Sequence, residues 1–223
     1  MGGPSALQSR RLLHLPTRLV LLGAAAALAV TSLWFARRQN QRRQLGGGIS
    51  LPKLGWLFFC LFTWFVLCPA LALDPAVAAP WRLTLGAFAI SMWLRGGIEL
   101  YLLYGPKTWK PPMGIAHDLF CLGLIGAFVL ANRAPIAAAG RRFDRWVGAV
   151  VAVVALSLVI EVLYAALFFR AARGNTTGAN GIWFADEKDP SFRAINRLTC
   201  ALNLPLFAFL AVFLAVAGGL IAP

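Results

Sequence analysis

Six long apolar runs divide this 223-residue chain, at residues 19–36, 54–73, 83–104, 113–131, 146–169 and 198–222. A helix needs about 20 apolar residues to cross the hydrocarbon of a bilayer, and inside lipid only helices and closed barrels satisfy their own backbone polar groups. Composition agrees: 13% of residues are charged, against about 25% in a soluble domain. Too little charge remains to coat a water-soluble globule. The sequence predicts an all-α, polytopic integral membrane protein, a single domain over 1–223 with about six transmembrane helices.

The breaks between runs carry the expected punctuation. Arginines flank the first run and no small-residue cleavage site follows it, so it reads as a span rather than a removed signal peptide. Asp74-Pro75 and Pro80 make a short, stiff connection after the second run, and Pro106 with Pro111-Pro112 separates the third from the fourth. Asp189 followed by Pro190 is an N-cap and first-turn pair that opens the last helix.

The net charge is +13. In a soluble protein that would suggest nucleic acid. Here the basic residues lie in short loops between apolar runs, so the expected partners are lipids with anionic headgroups and other membrane subunits, and no nucleic acid. Loops 1, 3 and 5 hold more Lys and Arg than the other side, which predicts those loops as cytoplasmic in a bacterial inner or plasma membrane.

Histidine and cysteine counts restrict the cofactors. Only His14 and His117 are present, and Cys60, Cys68, Cys121 and Cys200 all sit singly inside apolar runs. A bis-histidine haem, a thiolate-held zinc or iron–sulfur centre and a multi-histidine metal site each need ligands that this chain lacks. No cofactor and no metal site is predicted.

Ionisable groups inside membrane spans are costly and mark candidate sites. Five occur here: Arg95, Glu99, His117, Asp118 and Glu161. At about 1.5 Å per residue, Glu99 and Arg95 lie roughly 7 and 13 Å from the end of the third run. His117 and Asp118 lie roughly 6–8 Å from the start of the fourth, and Glu161 roughly 12 Å from the end of the fifth. With alternating helices, all five fall in one leaflet.

Helical phase points the same way. Arg95 and Glu99 are spaced i, i+4, close enough for an ion pair. Ser157, Glu161 and Tyr164 form one stripe on the fifth helix, and Asn196, Thr199, Cys200 and Asn203 another on the sixth. The first two runs offer only Thr31, Ser32 and Thr63. Helices 3–6 are therefore expected to form a core around a polar pocket, with helices 1 and 2 peripheral. The candidate ligand or proton residues are Arg95, Glu99, His117, Asp118, Glu161, Tyr164, Asn196 and Asn203, with Arg95 or His117 as the expected partner of Glu161.

Polar side chains in spans also serve simply to hold helices together, at about 0.6 kcal/mol per hydrogen bond. That explains the Ser, Thr and Asn stripes better than it explains three acids opposite one intramembrane arginine. Compensation would have to come from protonation, a bound cation, or Arg193 and Arg197 reaching in. Trp56, Trp64, Trp81, Trp109, Trp146 and Trp183 fall mostly at run ends and read as an interfacial aromatic belt. Asp186, Glu187 and Asp189 read as a solvated acidic turn, and Asn175-Thr176-Thr177 matches a glycosylation sequon. The chain contains no nucleophile with an adjacent base. The expected function is a non-catalytic integral subunit of a larger membrane complex, packing against partner helices and lipid. A small transporter or lipid-acting enzyme working through the polar pocket is the alternative.

Overall fold

The computed structural model describes residues 13–42, 51–106, 108, 111–138, 142–172 and 190–221, and their regular structure is entirely helical. In chain order the helices are α1 (Leu15–Arg42), α2 (Leu51–Phe62), a π-helical segment (Thr63–Leu67), α3 (Cys68–Leu73), α4 (Ala79–Tyr104), α5 (Pro111–Ala131), α6 (Arg133–Ala138), α7 (Arg142–Ala172) and α8 (Pro190–Gly218). Helix α2, the π segment and α3 run on as one rod. Each of the six apolar runs of the sequence is thus helical over most of its length, the last ending at Gly218. The acidic turn with the Asp189 cap, the sequon, Trp109 and Trp183 lie outside the described residues.

Five helical stretches are long and apolar enough to cross a membrane: Leu15–Arg38, Leu54–Leu73, Pro112–Ala131, Phe143–Arg170 and Arg193–Gly218. The sixth expected span falls short on composition. Helix α4 has 26 residues, ample length at 1.5 Å each, but it carries Arg82, Arg95 and Glu99.

Two prolines shape the rod and α8. Pro69 has no N–H for the Phe65 carbonyl, and its ring crowds that carbonyl. The turn ahead of it widens: the Cys68 N–H reaches back five residues to the Thr63 oxygen. Pro205 likewise removes one ladder N–H from α8, which nonetheless runs on as α-helix on both sides.

The packing corrects one expectation. The rod from Leu54 to Leu73 is the most heavily buried of the five apolar helices, and α1 the least. Phe59, Phe62, Leu67, Cys68 and Leu71 are almost completely enclosed. Phe59 stacks on Trp56 and meets Phe207 of α8 edge-on, with ring centroids 5.5 and 5.6 Å apart. Helix 1 is peripheral as expected, but helix 2 belongs to the core. Helix α5 packs chiefly on α7, α7 on α8, and α4 on α3 and α5.

One end of the bundle is clasped. Burial pushes the Asp74 carboxyl up, but hydrogen bonds from the His14 ring, the Thr17 hydroxyl and the Ala76 and His14 amides outweigh it and hold the group below its ordinary range. His14 Nδ1 stands 2.7 Å from Asp74 Oδ1, and the Ala76 amide donates to the same oxygen at 2.8 Å. Arg18 donates to the Gly218 carbonyl. The start of α1, the α3–α4 turn and the end of α8 therefore meet at one end.

A carboxylate with a lowered folded-state pKa contributes stability that is present above its unfolded pKa of about 3.9 and lost as pH falls through the lower, folded value. Asp74→Asn should therefore lower stability by about 2 kcal/mol at neutral pH, and by progressively less in acid. Melting temperatures in detergent across that range check it; an equal loss at all pH values would reject the assignment.

Candidate functional site

Four of the sequence-predicted residues come together between α4 and α5. The Arg95 guanidinium forms a close ion pair with Asp118 across the two helices. Its Nε is 3.6 Å from Glu99 Oε2, one turn further along α4. The i, i+4 pair exists, but the nearer carboxylate is the one on the neighbouring helix. The guanidinium also sits 6.0 Å from the Trp64 ring centroid, in the range of a cation–π contact. Asp118 is fully buried, and its Oδ2 has no hydrogen-bond partner among the described residues.

His117 completes this cluster. Its Nε2 lies 3.2 Å from the Ser91 carbonyl and 3.1 Å from the Ser91 hydroxyl. A carbonyl can only accept, so this contact assigns a proton to Nε2. Nδ1 then faces Asp118 Oδ1 at 3.7 Å, which is an electrostatic contact rather than a hydrogen bond. Cys121 Sγ lies 3.1 Å from the same Ser91 hydroxyl.

Glu161, on α7, is held differently from expectation. Neither Arg95 nor His117 is its hydrogen-bond partner. The Trp56 indole N–H donates to Glu161 Oε1 at 2.8 Å, and Cys60 Sγ lies 3.8 Å from the same oxygen. Both partners belong to α2, the helix expected at the periphery. One turn away, Trp64 donates to the Ser157 hydroxyl at 3.3 Å, and Trp56 and Trp64 meet edge to face at 6.4 Å. Helix 2 thus touches both groups, the α4–α5 cluster through Trp64 and Glu161 through Trp56. The charges of Asp118, Arg95 and Glu99 still reach the Glu161 carboxyl.

The remaining candidates gather around a small cavity between α2, α7 and α8. Tyr164, Asn196 and Asn203 line it with Trp56, Ile160, Thr199 and Cys200, around a volume of about 40 Å³. A water molecule needs about 10–15 Å³ on that measure, and a site for a drug-sized ligand is about tenfold larger. Asn203 is 3% exposed, and its Oδ1 finds no partner among the described residues. Arg193 and Arg197 are exposed.

Three contributors escaped the sequence reading: Trp56, Trp64 and Ser91. Position near run ends points the tryptophans to an interfacial belt, yet Trp64 lies mid-rod and is 5% exposed. A buried indole N–H needs an acceptor, which is the signal the sequence offers. Ser91 continues the Arg95–Glu99 stripe one turn toward the start of α4, at i−4 from Arg95.

No family model, no curated protein and no solved structure matches this chain.

Proposed function

We propose that the chain crosses the membrane six times, with α4 as the sixth span, and moves protons through its acidic interior, alone or in exchange for a small cation. The supporting observation is the imbalance of charge: Glu99, Asp118 and Glu161 act on one another and on a single arginine, Arg95. Ion pairs that serve only as glue are matched one to one, because an uncompensated buried carboxylate costs several kcal/mol. Here the excess acids need a proton or a cation.

The purified protein in vesicles loaded with a pH-sensitive dye tests this. A pH gradient, imposed alone and then against sodium or potassium, should collapse faster than in protein-free vesicles. Glu161→Gln keeps an acceptor for the Trp56 indole and should fold normally while abolishing that flux; Glu99→Gln should only weaken it. Wild-type vesicles that hold the gradient under every condition would overturn the reading.

A second reading, the non-catalytic subunit, draws support from α1. Its outward face exposes Leu19, Val20, Val30, Leu33, Trp34 and Phe35, a surface suited to lipid or to a partner helix. Co-purification of another chain in mild detergent, with no flux, would favour it.

A further inference from the structure

We infer that the cavity between α2, α7 and α8 holds water and forms the aqueous approach to Glu161 from the end of the bundle where α2 and α8 begin and α7 ends. The inference rests on the proton reading above and names the route within it.

Position along the helices is the first support. Trp56 lies six positions into α2, Asn196 seven positions into α8, and Tyr164 nine positions inside α7 as counted from its last residue, Ala172. Trp56, Tyr164 and Asn196 therefore lie toward that end, away from the clasp of His14, Asp74, Arg18 and Gly218. The cavity wall includes Trp56, whose indole N–H donates to Glu161 Oε1, together with Ile160 and Tyr164, which flank Glu161 on α7. Trp56 is thus shared by the cavity and the carboxyl.

Asn203 supplies the independent observation. A buried amide oxygen left without a donor costs about 1–3 kcal/mol; Asn203 Oδ1 is such an oxygen among the described residues, and Asn203 lines this cavity. The ligand must donate a hydrogen bond, must fit about 40 Å³, and must accept apolar surroundings from Ile160 and Trp56. Water meets all three conditions. The titratable and charged groups around Glu161 are Cys60 on α2, Arg95 and Glu99 on α4, Asp118 on α5, and Tyr164 and Cys200 on the cavity side. Protons exchanged through the cavity therefore meet Glu161 before the α4–α5 cluster.

Cys200 is a built-in probe. It lines the cavity and is partly exposed, whereas Cys60, Cys68 and Cys121 are buried. Hydrogen peroxide, a molecule little larger than water, oxidises the thiolate, which forms in water and not in an apolar wall. The intact protein in vesicles would be treated with dilute hydrogen peroxide, and the oxidised cysteines mapped by peptide mass. Cys200 should react while Cys68 and Cys121 stay protected. Asn203→Leu, which makes the wall apolar, should slow the reaction about tenfold, and Asn203→Asp should restore it. Ile160→Phe, which narrows the opposite wall, should slow it as well, so the test does not depend on one variant folding.

Cys200 reacting no faster than Cys68 would overturn the inference whatever the flux. Equal rates in wild type, Asn203→Leu and Ile160→Phe would overturn it too, because the reagent would then arrive by another route. Rapid, Asn203-dependent labelling without proton movement would support the water cavity and remove the transport reading separately.

Discussion

Asp118→Asn is expected to destabilise the folded protein by about 3–5 kcal/mol, because it leaves a buried guanidinium without its closest counter-charge. Asp118 is 1% exposed at its side chain and Arg95 15%, so water replaces little of what is lost. Glu99, at 3.6 Å and more exposed, compensates only in part. Removing both charges together, as Arg95→Met with Asp118→Leu, should cost less than either single change, since only Glu99, the more exposed of the two acids, is then left without the arginine. Thermal melts in detergent of the two single variants and the double one close the cycle. Losses that simply add would show that the two residues do not act as a pair.

Phe59→Ala should be nearly as damaging, at about 3–4 kcal/mol. The ring is completely enclosed, stacked on Trp56 and edge-on to Phe207. Lipid tails are as apolar as the ring, so a spanning helix gains little from transfer out of water, and the loss comes from packing contacts and the cavity left behind. Leu33→Ala on the exposed face of α1 removes a similar kind of side chain and should change the melt hardly at all. A comparable loss at both positions would reject the central placement of helix 2.

The sequence resolved helices well and neighbours poorly, for a physical reason. Runs of about 20 apolar residues bounded by Arg, Pro and Gly leave few alternatives to a helix. Charged residues were also legible: Arg95, Glu99, His117 and Asp118 share a depth and a helical phase, and they meet. The place of helix 2 is not legible from the phase of Ser, Thr, Asn and charged groups, because its polar contacts come from the indole N–H groups of Trp56 and Trp64. The partner of Glu161 is hidden for the same reason. In a bundle whose outside is as apolar as its inside, hydrophobicity does not tell a buried leucine from an outward one. Leu71 is enclosed and Leu73, two positions on, is 79% exposed. Nothing in their residue type separates them.

The wide turn at Thr63–Leu67 settles a question of register along the rod. Seven residues of an unbroken α-helix advance about 700°, which falls about 20° short of two full turns. Cys68 would then stand almost directly over Leu61, which faces outward. Instead Cys68 is enclosed, on the same side as Phe59 and Cys60. The π segment unwinds the rod by most of one residue's rotation, so its two halves aim at one interior although their apolar spacing is out of step. A chain lacking Thr63 would keep every apolar side chain and, as a regular α-helix, would aim both halves of the rod at the same interior; with all five residues wound as α-helix, one half would instead turn its core face outward.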